Sequence, residues 1–266
     1  MSDGESTMLM FHGLIAMAIW GHMLMVLLNN SPHEDLRGLK VLLWCTPPAL
    51  AFALLILLQS FASSDVRGSI YLAFYVVMGA AWVGSATWVV SLLGFDFRDD
   101  VDERQNPASS VLYLGVMAGF TLAFAGSNFG EGPSWTVVAY CSLLSMGALL
   151  LFWLTIVKMT GAIDAITIDR DTPTGFRLAC LLTGSGAVLG RSVAGDWEGA
   201  TPAFLDFSAH LLPLVLLGTV EVALAYPLRP HARAENFYPA PILRGALPGL
   251  AYLGFASWYL LFAGWW

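Results

Sequence analysis

Residues 69–94 read SIYLAFYVVMGAAWVGSATWVVSLLG, a run without one charged side chain. Crossing the hydrocarbon core of a bilayer takes about 20 predominantly apolar residues in a helix. A run of this length and character therefore has lipid as its natural solvent. Working outward, seven more stretches share it: roughly 8–28, 40–62, 109–129, 134–157, 174–194, 204–226 and 246–265. The expected fold class is all-α, a polytopic membrane helix bundle of about eight transmembrane helices.

The whole chain agrees with its parts. Hydrophobic residues make up 57% and charged residues 12%, against about 45–50% and about 25% in soluble domains. The net charge of −7 comes with no cluster of Lys and Arg, so nucleic-acid binding has no electrostatic footprint. Cys45, Cys141 and Cys180 are far apart, odd in number and set in apolar runs. They have neither zinc nor disulfide spacing and read as small buried packing residues. The acidic start, Asp3 and Glu5, lacks the basic region of a secretory signal, so the first apolar run is expected to stay as a helix. Trp135, Trp197, Trp265 and Trp266 stand at span ends, as interfacial anchors do.

Orientation follows from the cations. Ten of the twelve Lys and Arg fall after spans one, three, five and seven: Arg37, Lys40, Arg98, Arg104, Lys158, Arg170, Arg177, Arg229, Arg233 and Arg244. Only Arg67 and Arg191 fall on the other side. The positive-inside rule then puts the odd-numbered loops in the cytoplasm and both termini outside.

Two connections resemble each other. Glu103-Arg104-Gln105-Asn106-Pro107-Ala108 precedes the fourth span, and Asp169-Arg170-Asp171-Thr172-Pro173-Thr174 precedes the sixth, 66 positions later (169 − 103). Each carries an acid–Arg pair, then a capping residue, expected to be Asn106 and Thr172, then Pro at the first helical position. The spacing covers one helical hairpin, so the expectation is a parallel duplication. The chain then divides into an N-terminal three-helix addition (1–94), a duplicated hairpin core (95–226, halves 95–160 and 161–226), and a Pro-rich loop with a closing helix (227–266).

The stretch from Phe95 to about Leu224 resembles the YjfL-type family of bacterial inner-membrane proteins, catalogued as a domain of unknown function. The likeness rests on Arg98-Asp99-Asp100-Val101-Asp102-Glu103-Arg104-Gln105-Asn106-Pro107-Ala108, on Asp169-Arg170-Asp171, and on Gly190-Arg191-Ser192-Val193-Ala194-Gly195-Asp196-Trp197. It implies a bacterial inner membrane and duplicated two-helix units, and brings no catalytic residues. Residues 1–94 lie outside it.

The residues most worth attention are ionisable groups in the sixth and seventh spans. At 100° per residue, Asp206, His210 and Glu221 share one helix face, while Arg177 and Arg191 lie within about 40° of each other. Matching rises along antiparallel helices predict two pairs, Arg191 with Asp206 and Arg177 with Glu221. Charge near lipid is costly without a partner. The pairs either pin the hairpin or, with His210, line a polar path.

Weaker signals complete the reading. Asp99, Asp100, Asp102 and Glu103 form an acidic stretch that could draw cations to a pore, although a solvated face is the plainer reading. His12 could join His210 as axial ligands to a haem, with packed histidines as the alternative; no cofactor and no metal is expected. Ala80 with Gly84, Gly115 with Gly119, and Gly186 with Gly190 have the spacing of close helix packing. The function expected is a channel- or transporter-like component for a small ion or solute, and the alternative is a non-catalytic subunit of a membrane complex. No enzymatic role is expected. The partners expected are the lipid bilayer and further copies or other membrane subunits.

Overall fold

The computed structural model describes residues 2–29, 37–64, 66–132, 134–228 and 241–263. Its helices are α1 (Asp3–Asn29), α2 (Arg37–Phe61), α3 (Ser69–Leu92), α4 (Pro107–Gly126), α5 (Trp135–Thr160), α6 (Ala162–Thr167), α7 (Thr172–Ser192), α8 (Ala200–Ala209), α9 (Leu212–Ala225) and α10 (Leu247–Ala263). Two short π-helical segments, Phe97–Glu103 and Ile242–Ala246, precede α4 and α10. No strand forms among the described residues. The protein is an all-α polytopic membrane bundle.

The bundle is organised around α4 and α7. Gly175 meets Ala108, Gly115 meets Ala179, Gly186 meets Gly119, Gly190 meets Leu122 and Gly130 meets Gly195, in each case backbone against backbone. The paired numbers rise together, so α4 and α7 run parallel and touch along their whole length. A methyl group on Gly186 would overlap the Gly119 carbonyl, and one on Gly126 would overlap that of Gly190. Lipid tails give two helices no hydrophobic reason to associate, so dispersion contacts at this range supply the attraction. Around this pair, α2, α3 and α5 pack on α4, and α5, α9 and α10 pack on α7, with α1 outermost on α3.

Seven stretches are long and apolar enough to cross a membrane: Asp3–Leu28, Lys40–Phe61, Ile70–Leu92, Pro107–Gly126, Trp135–Thr160, Ala200–Ala225 and Ile242–Phe262. α7 is not among them because Arg, Thr, Ser and Gly dilute its apolar character. It has 21 residues, about 31 Å of helix. It lies alongside α4 from end to end, so it shares the depth of that helix within the bundle. A helix surrounded by other helices need not be soluble in lipid.

Structure and sequence differ in several places. The seventh span is two helices, because Pro213 has no amide hydrogen for the Ala209 carbonyl and its ring crowds that turn. The first helix begins five residues before the expected Met8, at Asp3. Cys45 is exposed on α2 rather than buried, whereas Cys141 and Cys180 are buried. Arg229, Arg233, Trp265, Trp266 and most of the Pro-rich loop lie outside the described residues.

The recurrence spacing is 65 residues rather than 66. Thr172 follows Pro107 by that interval (172 − 107), as Ala200 follows Trp135 (200 − 135) and Ala225 follows Thr160 (225 − 160). The prolines mislead by one position: Pro107 opens α4, whereas Pro173 is the second residue of α7. Asn106 caps Ala108 and Ser109, and Asp171, not Thr172, caps Thr174. Each cap follows a residue with positive φ, Gln105 (46°) or Arg170 (55°). The hydrogen bonds recur as well. Asn106 N–H donates to the Asp100 carbonyl at 3.3 Å, and Asp171 N–H to that of Ala165 at 2.9 Å.

Both ends of the α4–α7 pair are tied. At one end the Asn106 amide donates to the Ile166 carbonyl (2.7 Å) and Arg170 to that of Arg104 (3.1 Å). At the other, Gly195 N–H donates to the Phe129 carbonyl (3.1 Å), and the Glu131 N–H to Asp196 Oδ1 (2.7 Å).

Replacing Gly186 or Gly190 with Val should lower the unfolding temperature in detergent, a loss of about 1–3 kcal/mol or more from overpacking. Gly147→Ala and Gly254→Ala, whose added methyls meet nothing within 4 Å, should leave it unchanged or slightly raised. Equal melting of all four variants would remove the α4–α7 contact from its central place.

Candidate functional site

Arg177 and Glu221 meet. Nε of Arg177 lies 3.2 and 3.1 Å from the two carboxylate oxygens of Glu221, and both residues are buried, at 1% and 0% exposure. Tyr252 of α10 donates to Glu221 Oε2 at 2.8 Å. The Arg177 Nη1 donates to the Arg244 carbonyl at 2.7 Å. That carbonyl needs an outside donor in α-helical register, because the residue four further on is Pro248. Arg244 itself donates from Nη1 to Asp171 Oδ1 at 3.0 Å, while Asp171 Oδ2 accepts from Thr174. Three helices are thus joined at one end of the bundle, with no carboxylate left bare.

The depth of this network matters. Arg177 is five residues into α7 and Glu221 four residues from the end of α9, so both lie roughly 6–8 Å inside the helix ends. The positions 65 residues earlier are Leu112 (177 − 65) and Ile156 (221 − 65), at 0% and 2% exposure. The first hairpin therefore packs apolar side chains at the places where the second holds an ion pair. Burying such a pair costs desolvation of both ions, and apolar replacements of similar volume are often no less stable.

The other expected pair does not form. Arg191 donates to the Ala194 carbonyl at 3.3 Å, and no ion pair joins it to Asp206. The interruption between α8 and α9 takes Asp206 and His210 off the face of Glu221: Asp206 is exposed, and the Nδ1 of His210 sits 2.8 Å from the Asp206 carbonyl. His12 is buried in α1 with its Nδ1 2.8 Å from the Met8 carbonyl. α1 packs on α3, while α8 and α9 pack on α5 and α7. The two histidines are not brought together as a haem pair.

The acidic stretch becomes a folded interfacial segment. Asp100 pairs with Arg104 (3.1 Å), Asp102 with Lys40 (3.8 Å) and Glu103 with Arg98 (3.0 Å). Asp96 caps the segment by accepting from the Arg98 and Asp99 amides. Among the described residues no group of three His, Cys, Asp or Glu could hold a metal ion.

Another set of residues escaped sequence reading. Asn128 Oδ1, Ser142 Oγ and Ser185 Oγ are buried with no hydrogen-bond partner among the described residues. Ser142 on α5 and Ser185 on α7 are each seven residues from the same end of the bundle, and Asn128 follows α4 there. Above them a small cavity of about 30 Å³ is bordered by Ser127, Cys141, Ser192, Asp196 and Asp206, room for about two waters. Ser145 donates to the Cys141 carbonyl (3.0 Å) and lies 3.2 Å from that of Ala123, which places α5 against α4. Toward the opposite end, Ser109 Oγ and Trp153 Nε1 are also without partners. Buried Val116, Leu149 and Leu181 lie between the two groups. A serine in an apolar run carries little sequence signal, because hydroxyls often bond back to their own helix.

These features define the class: a multi-pass, all-helical membrane protein with a closed charge network at one end and a partly polar interior among α4, α5 and α7. No known protein family, curated protein or solved structure matches the chain.

Glu221→Ala should destabilise the protein by about 3–5 kcal/mol, because it strands a buried guanidinium. The double variant Arg177→Leu with Glu221→Ile, copying the first hairpin, should recover part of that loss in detergent melting, the remainder reflecting the Arg244 carbonyl and Tyr252 hydroxyl that lose their partners. A double variant as unstable as the single one would mean that the pair does more than neutralise itself.

Proposed function

We propose that this protein is a permeation component, a channel- or transporter-like bundle for a small ion or polar solute, with its path among α4, α5 and α7. One observation carries the reading: five buried polar atoms without protein partners lie on or beside these three helices, toward both ends of the bundle. In a bilayer each unsatisfied group costs several kcal/mol, so their partners are expected to be water or the permeating species. The path differs from the seam expected between the sixth and seventh spans, where the Arg177–Glu221 network is closed. The apolar side chains of Val116, Leu149 and Leu181 form the barrier at mid-depth.

The cation asymmetry supports an orientation with both termini outside and the Arg177–Glu221 end in the cytoplasm. The YjfL-type resemblance supports a bacterial inner membrane. The alternative, a non-catalytic subunit of a larger complex, draws support from an apolar groove of about 460 Å³ between α5 and α9 around Gly218.

Liposomes containing the purified protein should pass protons or monovalent cations, and Ser185→Leu should reduce the flux about tenfold, the factor that corresponds to about 1.4 kcal/mol of added barrier. In a cysteine-free background, Ser142→Cys should react with a membrane-impermeant thiosulfonate from the Asp196 side only, and Leu149→Cys from neither. A tight liposome, together with a stoichiometric complex isolated from native membranes, would sink permeation and favour the subunit reading.

A further inference from the structure

We propose that the cavity beside the interfacial segment is a binding site for the headgroup of an aminophospholipid, a primary ammonium joined to a phosphodiester. The cavity holds about 320 Å³ and lies where α1, α3 and the Phe97–Glu103 segment converge. It is independent of the α4–α5–α7 interior and lies on the opposite side of α4 from the charge network.

Its walls divide by chemistry. Ile19, Val26 and Trp88 form an apolar side, and Trp88 is 60% exposed on a helix that crosses the bilayer. The polar side carries Asp96, Arg98, Asp99, His22 and Ser91. One wall therefore meets acyl chains while the other lies at the level of the headgroups, beyond the end of α3 at Leu92. An occupant that enters from the lipid, with an apolar tail and a polar head, matches both.

The polar side favours an ammonium. Thr87, buried in the same wall, donates its hydroxyl proton to the Gly84 carbonyl (2.8 Å), and Ser91 donates to that of Thr87 (3.3 Å). Both hydroxyls thus present lone pairs. Asp99 forms no ion pair with a described residue, whereas Asp100, Asp102 and Glu103 each do. An ammonium donating to Asp99, Asp96 and Ser91 is compensated in charge and in hydrogen bonds. Arg98 is 63% exposed in its side chain and, among the described residues, is held by its Nε to Glu103, which leaves its guanidinium Nη groups facing outward to a phosphate. A choline group has no N–H to donate, and a glycerol headgroup brings no cation to compensate the two carboxylates. The site selects ethanolamine over both.

The test uses the full chain purified in detergent and native mass spectrometry with equimolar phosphatidylethanolamine, phosphatidylcholine and phosphatidylglycerol. Phosphatidylethanolamine should be retained preferentially, and Asp99→Asn should weaken its retention about tenfold, the loss of one charge-assisted hydrogen bond. Asp164→Asn, an exposed residue of α6 outside the cavity wall, should retain it. Asp99 is exposed and supports no other element through its side chain, so its variant is expected to fold, which an unchanged melting curve will establish. Equal retention of the three lipids, or full retention by Asp99→Asn, would overturn the proposal. Free phosphoethanolamine at the lipid concentration should not compete; if it does, the ligand is a soluble phosphoamine and the lipid assignment fails.

Discussion

The backbone contact between α4 and α7 constrains everything else. Two parallel helices can approach this closely only where one of each facing pair lacks a side chain, and the glycines are placed to meet that need along the whole interface. The helix that follows each must then return antiparallel on an outer side, which puts α5 against both and α9 on the flank of α7. The pair also fixes depth. Because the two helices are in step, with caps and turns recurring at one interval, the polar groups of α7 are held level with the apolar groups of α4.

That levelling explains how α7 tolerates a composition unsuited to lipid. Thr174, Arg177, Ser185 and Ser192 are buried against protein, and its one deeply placed guanidinium is met by a carboxylate, a carbonyl and, through that carboxylate, a phenol. The same shielding separates two kinds of buried polarity. Charge is concentrated near one end, where it is closed on itself. Uncharged hydroxyl and amide groups without protein partners are spread among α4, α5 and α7. A path for small polar species is better made from the second kind, because a neutral hydroxyl can bind and release where a closed ion pair cannot.

Much of the architecture was legible in the sequence because hydropathy over twenty residues averages away local detail. The Arg177–Glu221 pair was legible too, since each helix on its own side of the break is regular and the spacing arithmetic holds within it. The Arg191–Asp206 pair was not, because Pro213 interrupts the span and the rotation assumed across it is lost. Spacing by the prolines missed the recurrence by one residue, since proline is tolerated at either of the first two helical positions and marks the cap only approximately. Tyr252, Arg244 and the unpartnered serines stayed hidden. Their roles depend on which helices become neighbours, and no local pattern encodes that.

The Arg177 guanidinium has a consequence for how the chain is made. One of its partners, the Glu221 carboxylate, reaches it within the α7–α9 hairpin, but the carbonyl of Arg244 and the phenol on Glu221 arrive only with α10 and the segment before it. Inserted in order of synthesis, α7 and α9 hold an ion pair incompletely dressed until α10 docks. Docking of α10 is thereby coupled to burial of this charge. A ribosome stalled before α10 would leave a half-satisfied cation in the bilayer, a mark that membrane quality control can read.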